Sequence, residues 1–395
     1  MAILGLFAAC GRTKPRLVTV PGATLAEKLD WLDLNAAGNT GYLLKITAAD
    51  EELAAHNLFY FGSDITIQLK GIGKERAVSF SDNGSLFTVG SGVTLVLENI
   101  AMAGASGNNH ALIRVNSGGS LQINQGVTIS GNSGSGVYNN GGTVTMNGGE
   151  ISGNNGGGVR NDIYYTSIDG EYVTIIGTFT MAGGKISGNT APSSGGGVYN
   201  NGIFTVNGGE ISGNTGGGVF NRGTFAINGG KISGNTSASF DGGGVHNGVI
   251  YTMVDGVYVA VNGTFTMSGG EISENTSSPF DGGGVSNYGT FLMEDGKISG
   301  NTASIGGGVD NHGTFTMKGG KVSGNTAVLY GGGVSNSVNY TYSYDGYVSH
   351  VIFSMSGGEI SDNTASSYGD GLFVGNGAVL DKTGGTIAGD IEMDN

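Results

Sequence analysis

The chain has 395 residues, including 80 glycines, 4 prolines, 1 cysteine and 1 tryptophan, and a formal charge of −14. Four prolines exclude a collagen-like triple helix, and one cysteine excludes a disulfide framework or a cysteine-rich metal site. The acidic balance makes nucleic acid an unfavourable partner, and a 38% hydrophobic content excludes charge-driven disorder.

Residues 2–9 form a short apolar run ending at Ala8-Ala9-Cys10. Cys10 stands where the lipid-bearing cysteine of an exported lipoprotein would stand; the other reading is an unmodified cysteine in a ragged N-terminal segment. A start placed too late would account for the lack of basic residues before the run. We therefore expect 1–20 to be a truncated signal or lipoprotein segment with a linker, and the protein to be exported to the cell surface or anchored at the outer membrane. No later stretch is long enough to span a bilayer.

Residues 23–34, ATLAEKLDWLDL, read as a helix. Thr24 followed by Glu27 is a capping box, and Leu25, Leu29 and Leu32 make one apolar face. A solenoid needs a cap over its open end, and Trp31 fits that cap better than a ligand platform. Alternating segments at 65–69 and 93–97 read as degenerate first coils, so 21–130 is expected to hold the cap and these coils.

From 131 to 376 one phrase recurs, clearest as GTFTMAGGKISGNTAPSSGGGVYN at 177–200. Its anchor valines are Val137, Val159, Val198, Val219, Val245, Val285, Val309 and Val334, with Leu372 closing the series. Within a unit the apolar period is two, the mark of a strand. Phe179 and Met181 face one way and their threonine neighbours the other. A unit this small cannot bury its own apolar face and must stack on its copies. We expect a parallel β-helix of about twelve coils, with Phe over Phe and with the asparagines of the SGN element, Asn132 to Asn363, in one ladder. The residue before each Ile-Ser or Val-Ser reads Glu150, Lys185, Glu210, Lys231, Glu271, Lys297, Lys321, Glu359, so charges largely alternate along the stack. Residues 377–395 are expected to cap the C-terminal end.

The phrase GTFTMxGGxISGNTAxxxGGGVxN resembles the repeat of bacterial cell-surface, adhesin-like right-handed β-helix proteins with a pectin-lyase-like fold. It is also similar to the repeats of polymorphic outer-membrane proteins. The likeness covers 86–376. It implies the right-handed sense of the coil, an all-β fold, and a surface-displayed role as a secreted or lipid-anchored adhesion protein.

Three insertions interrupt the repeat, at 162–176, 248–262 and 337–351, each with Asp-Gly midway between β-formers. That is a hairpin signal. They recur every third coil, so neighbours stand roughly 14 Å apart at strand spacing. Nine of the 16 tyrosines lie in them: Tyr164, Tyr165, Tyr172, Tyr251, Tyr258, Tyr340, Tyr342, Tyr344 and Tyr347. One reading is a tyrosine comb that binds a polysaccharide or a host or cell-surface protein; the other is a buttress packed over the solenoid.

The main functional expectation is adhesion or interaction without catalysis, needing no cofactor and no metal. A polysaccharide lyase or hydrolase is the alternative, because such enzymes share the architecture, although fold alone confers no activity. Its carboxylate candidates are Asp241 with Asp281, which precede GGGV in adjacent coils, and Asp310 with His312, with His246 two coils away. A second alternative is ice binding through outward Thr-x-Thr rows at 143/145, 178/180, 264/266 and 314/316, broken at Ile203, Ala226 and Leu292. Threonine is also an ordinary outward strand residue. The triple-glycine runs lack the Gly-Lys-Ser/Thr of a phosphate loop.

Overall fold

Each Thr-x-Thr-Met segment becomes a short strand paired in parallel with the same segment one repeat on. The computed structural model describes residues 17–168, 170–237, 242–254, 257–338 and 351–394, with backbone alone for 168, 251–254 and 257–260. Thr143–Met146 pairs with Thr178–Met181, then Ile203–Val206 and Thr224–Ile227, and so on to Ile352–Met355. The register is residue for residue, with Phe179 opposite Phe204 and Met181 opposite Val206. The Ile-Ser segments stack likewise, Glu150–Ser152 on Lys185–Ser187 and onward to Glu359–Ser361. The Val-x-Asn segments form a third parallel stack, running from His56–Leu58 to Ile391–Met393. A further five-stranded ladder, Thr236–Ser237 to Thr364–Ala365, lines only the later coils. The molecule is a parallel β-helix.

The solenoid begins before the helix, because Leu17–Thr19 pairs with Gly41–Ile46, which in turn pairs with Ile65–Gly71. The helix spans Leu25–Asn35. Thr24 Oγ1 accepts from Glu27 N–H at 3.2 Å and the Glu27 carboxylate accepts from Thr24 N–H at 3.4 Å, so the capping box is formed. Leu25, Leu29 and Leu32 are buried in the same core as Tyr42 and Leu44, and Trp31 meets the Tyr42 ring edge-on at 6.2 Å. At the other end, Val379–Lys382, Thr386–Ile387 and Ile391–Met393 add one more strand to each stack.

Inside, Phe179, Phe204, Phe225, Phe265, Phe291, Phe315 and Phe353 form one column, all buried. Ring centroids from Phe265 to Phe353 are 4.5–4.8 Å apart at 5–8° between planes, close to the spacing of parallel strands. Corners that turn inward bring polar backbone into this apolar core, and its groups need partners. Asparagine supplies them. Asn154, Asn189, Asn214, Asn235, Asn275, Asn301, Asn325 and Asn363 pass Nδ2–H to Oδ1 from rung to rung at 2.8–3.1 Å. Each of the first seven also caps an isoleucine carbonyl one coil back, as Asn235 does for Ile211. A second ladder of the same kind runs through the asparagines of Val-x-Asn, Asn139 to Asn336, with links of 2.7–2.8 Å.

The charge column holds its register, with Glu150, Lys185, Glu210, Lys231, Glu271, Lys297, Lys321 and Glu359 each opposite the next. Lys185 reaches Glu210 at 3.1 Å and Lys321 reaches Glu359 at 3.0 Å. Both glutamates are held below the usual carboxylate range, Glu210 first by its bond from Lys185 and Glu359 first by that from Ser361.

Candidate binding surface

The first hairpin grows directly out of a solenoid rung. Strand Val159–Ile168 pairs in parallel with the stack over Val159–Asn161, then continues outward and turns back as Glu171–Ile176. Ile168 faces Glu171, so the loop has two residues, with Gly170 at φ 85°. That is the left-handed conformation a tight hairpin turn requires. The second hairpin repeats the plan, Val249–Val254 against Val257–Asn262. Its root strand lies three rungs from that of the first, and Val334–Asn336 at the root of the third insertion lies three rungs further.

The root of the first hairpin rests on the solenoid: Tyr164 and Ile175 crowd the backbone of Gly141 in the preceding coil. Beyond the root the side chains stand out, with Tyr165 69% and Tyr172 92% exposed, against 37% for Tyr164. Of the other comb tyrosines, Tyr251 and Tyr258 have only their backbone described. Tyr340, Tyr342, Tyr344 and Tyr347 lie outside the described residues, as do Cys10 and Asp241.

Two shallow depressions meet beside this hairpin. One, of about 370 Å³, is lined by Arg114, Asn116, Ser117, Asn140 and Tyr164. The other, of about 300 Å³, is lined by Phe59, Tyr60, Phe61, Gly90, Ser91 and Asn116. Asn116 belongs to both, so they form one groove along the solenoid axis. Phe61 is fully exposed at its far end. Burial and the Asp33 charge, to which Tyr60 donates at 3.1 Å, push the Tyr60 phenol up. No carboxylate is among the lining residues.

Alongside the groove runs a row of side chains that sequence reading missed. The middle residue of Val-x-Asn points outward, and successive coils place there Arg114, Tyr138, Arg160, Tyr199, Phe220 and His246. The Arg114 guanidinium lies 4.8 Å from the centre of the Tyr138 ring, and Arg160 lies 5.4 Å from both Tyr138 and Tyr199. Tyr199 stacks on Phe220 at 5.2 Å, Phe220 on His246 at 4.8 Å, and Arg222 lies 4.8 Å over Phe220. The ring path then shifts to the position two residues later, just past the strand end, from His246 to Tyr288 and His312. In those coils the original position holds Ser286, Asp310 and Ser335, all buried. The position varies in residue type, so it keeps no single letter; only register reveals the row.

Of the described carboxylate candidates, neither Asp281 nor Asp310 lines the groove. Asp310 is fully buried, 2.7 Å from His312 Nε2, while His312 Nδ1 lies 2.7 Å from the Ser337 carbonyl at the root of the third insertion. Asp281, Asp310 and Asp394 face Tyr330, whose phenol is pushed up by burial first and by those charges next. Among the described residues, no group of three or more His, Cys, Asp or Glu is placed to hold a metal ion. The threonine rows hold register on the outer face, and Ile203, Ala226 and Leu292 interrupt them there.

No protein-family model, no curated protein and no solved structure matches the chain.

Proposed function

We propose that this protein is a surface-displayed interaction rod of adhesin-like type, exported and non-catalytic, that binds a glycan or a surface protein through its hairpin-bearing side. The exposure of Tyr165 and Tyr172 on a hairpin rooted in a rigid rung carries the reading. Large aromatic surface left in water on a fixed scaffold is recognition surface. A groove whose lining lacks an acid, while Asp310 is fully buried, supports binding over hydrolysis, since glycoside cleavage needs paired reachable carboxylates. In this reading the coil is the right-handed, pectin-lyase-like one, and lipid on Cys10 tethers it to the membrane.

Screening purified protein on a glycan array, with depolymerisation assayed on the same polysaccharides, tests the proposal. Binding without product release is the expected result. Turnover of any bound polysaccharide would replace this reading with an enzymatic one.

A further inference from the structure

Among the four described arginines, three stand on one outward face of a chain whose net charge is −14. Arg114 and Arg160 stand two rungs apart with Tyr138 between them, and Tyr199 separates Arg160 from the rung of Phe220, whose strand ends at Asn221, just before Arg222. Two rungs of parallel sheet span about 9.6 Å. The Arg114 and Arg160 rungs are therefore separated by close to the length of one disaccharide in an extended chain. We propose that this row and the adjoining groove bind an acidic polysaccharide with one uronate per disaccharide, laid along the solenoid axis. The inference rests on the glycan-binding reading above and names its ligand class.

The stacking makes the row a prepared anion receptor. Each guanidinium lies 4.8–5.4 Å from the centre of an aromatic ring, a contact that restricts its motion before any ligand arrives. An arginine fork so restricted matches a carboxylate bidentately. Arg114 makes one hydrogen bond to a described residue, Nε to Asn116 at 2.9 Å, and no described carboxylate pairs with it. Arg222 donates to the Tyr199 hydroxyl at 3.1 Å and has no described carboxylate partner either. Arg160 spends its Nε on Asp162 at 2.6 Å, yet its side chain stays 52% exposed. Beside the cations, the hydroxyl of Tyr138 and the amides of Asn116 and Asn140 offer donors and acceptors to sugar hydroxyls. A uronate on every sugar would bring a second carboxylate to each tyrosine rung, where no cation waits. Period thus selects an alternating polymer over a homopolyuronate.

The test is calorimetric titration of the full chain with hyaluronan oligosaccharides, an alternating uronate polymer. Polygalacturonate, chondroitin sulfate, neutral dextran and poly-glutamate serve as comparison probes. We expect hyaluronan to bind best, with affinity falling as salt rises, and Arg114→Gln and Arg160→Gln each to cost roughly ten-fold. Arg114→Lys is expected to lose nearly as much, because lysine keeps the charge but not the fork. Unchanged hyaluronan affinity in the folded double variant overturns the inference, as does equal or tighter binding of poly-glutamate or polygalacturonate; chondroitin sulfate, which also carries one uronate per disaccharide, is expected to bind and to lose affinity in the same variant. Should the double variant keep hairpin-dependent binding to a neutral glycan that the native protein also binds, this inference fails while the interaction-rod reading stands. A native chain that binds no probe and no array glycan fails both.

Discussion

Asn235 donates its side-chain N–H to the Oδ1 of Asn275 at 2.9 Å, although 40 residues and a whole hairpin separate them in sequence. The same pair is joined a second time at 3.0 Å, from the Asn235 backbone N–H to that oxygen. The insertion leaves the rung and returns without disturbing the stack. This tolerance lets the solenoid carry elaborations on one side.

Removing a rung of the ladder should therefore be costly. Asn275 accepts twice from Asn235 and donates to Ile232 and Asn301, all in the buried interior. Asn275→Ala strands at least two of those partners, at about 1–3 kcal/mol each. A fall in the urea midpoint at unchanged slope checks it.

Glycines of one repeat should respond very differently to alanine. Gly213 sits at φ 61° with nothing within 4 Å of an added Cβ. Its equivalents Glu274 and Asp362 keep φ 59° and 58° with full side chains. Gly213→Ala should cost only about 1 kcal/mol, the conformational penalty. At Gly244 a Cβ would lie 2.5 Å from the Gly284 carbonyl oxygen and 2.8 Å from Ile272 Cγ2. Gly244→Ala should lower the melting temperature several times further, because backbone of the next coil must move.

Excising 163–176 should leave a standard corner. The junction becomes Asn161-Asp162-Gly177-Thr178, the pattern of the uninserted Asn200-Asn201-Gly202-Ile203. The two corners already share a bond, Asn161 Nδ2 to the Gly177 carbonyl at 3.1 Å and Asn200 Nδ2 to that of Gly202 at 3.2 Å. Circular dichroism and melting should stay near those of the native protein, while array binding that depends on Tyr165 and Tyr172 is lost. Unfolding of the excised chain would make the hairpin a structural buttress.

Acid should loosen the charge column. The Glu210 carboxyl is held below its ordinary 4.5 by the bond from Lys185, so it favours the fold above that pH. Its contribution is lost as pH falls through the lower folded value. The pair is exposed, and about 0.5 kcal/mol is its proper scale. Glu210→Gln should flatten the stability loss between pH 5 and 3 by about that amount, and high salt should do the same.

How far the sequence displayed this architecture depends on whether a column repeats a letter. Phe265, Phe291 and Phe315 do, so their stack is legible in the sequence, although the same interior slot takes Leu121 and Val144 in earlier coils. The asparagines of the corners were legible for the same reason, although the second ladder, at Asn139 to Asn336, was passed over as part of a motif. The row from Arg114 to His246 keeps no single letter, since arginine and tyrosine alternate from Arg114 to Tyr199 and Phe220 and His246 follow. An outward position tolerates arginine, tyrosine, phenylalanine and histidine alike, and their contact arises from register, not from identity. The groove escaped too, since Phe59 and Phe61 lie in degenerate coils where no column could be drawn. Conversely, nothing in the letters of Asp310 and His312 shows that Asp310 is fully buried, because its burial depends on register with the neighbouring coils.

Every surface described above depends on equivalent residues of successive coils standing one rung apart. Thr143 and Thr290 are 147 residues apart in sequence but five rungs apart in register, through Thr178, Ile203, Thr224 and Thr264. Spin labels on cysteines at those two positions, with Cys10→Ser, should give one narrow pulsed-EPR distance near 24 Å at parallel-strand spacing, before label length. A broad distribution, or a mean beyond about 40 Å, more than eight such spacings, would contradict the stacked solenoid and the binding face built on it.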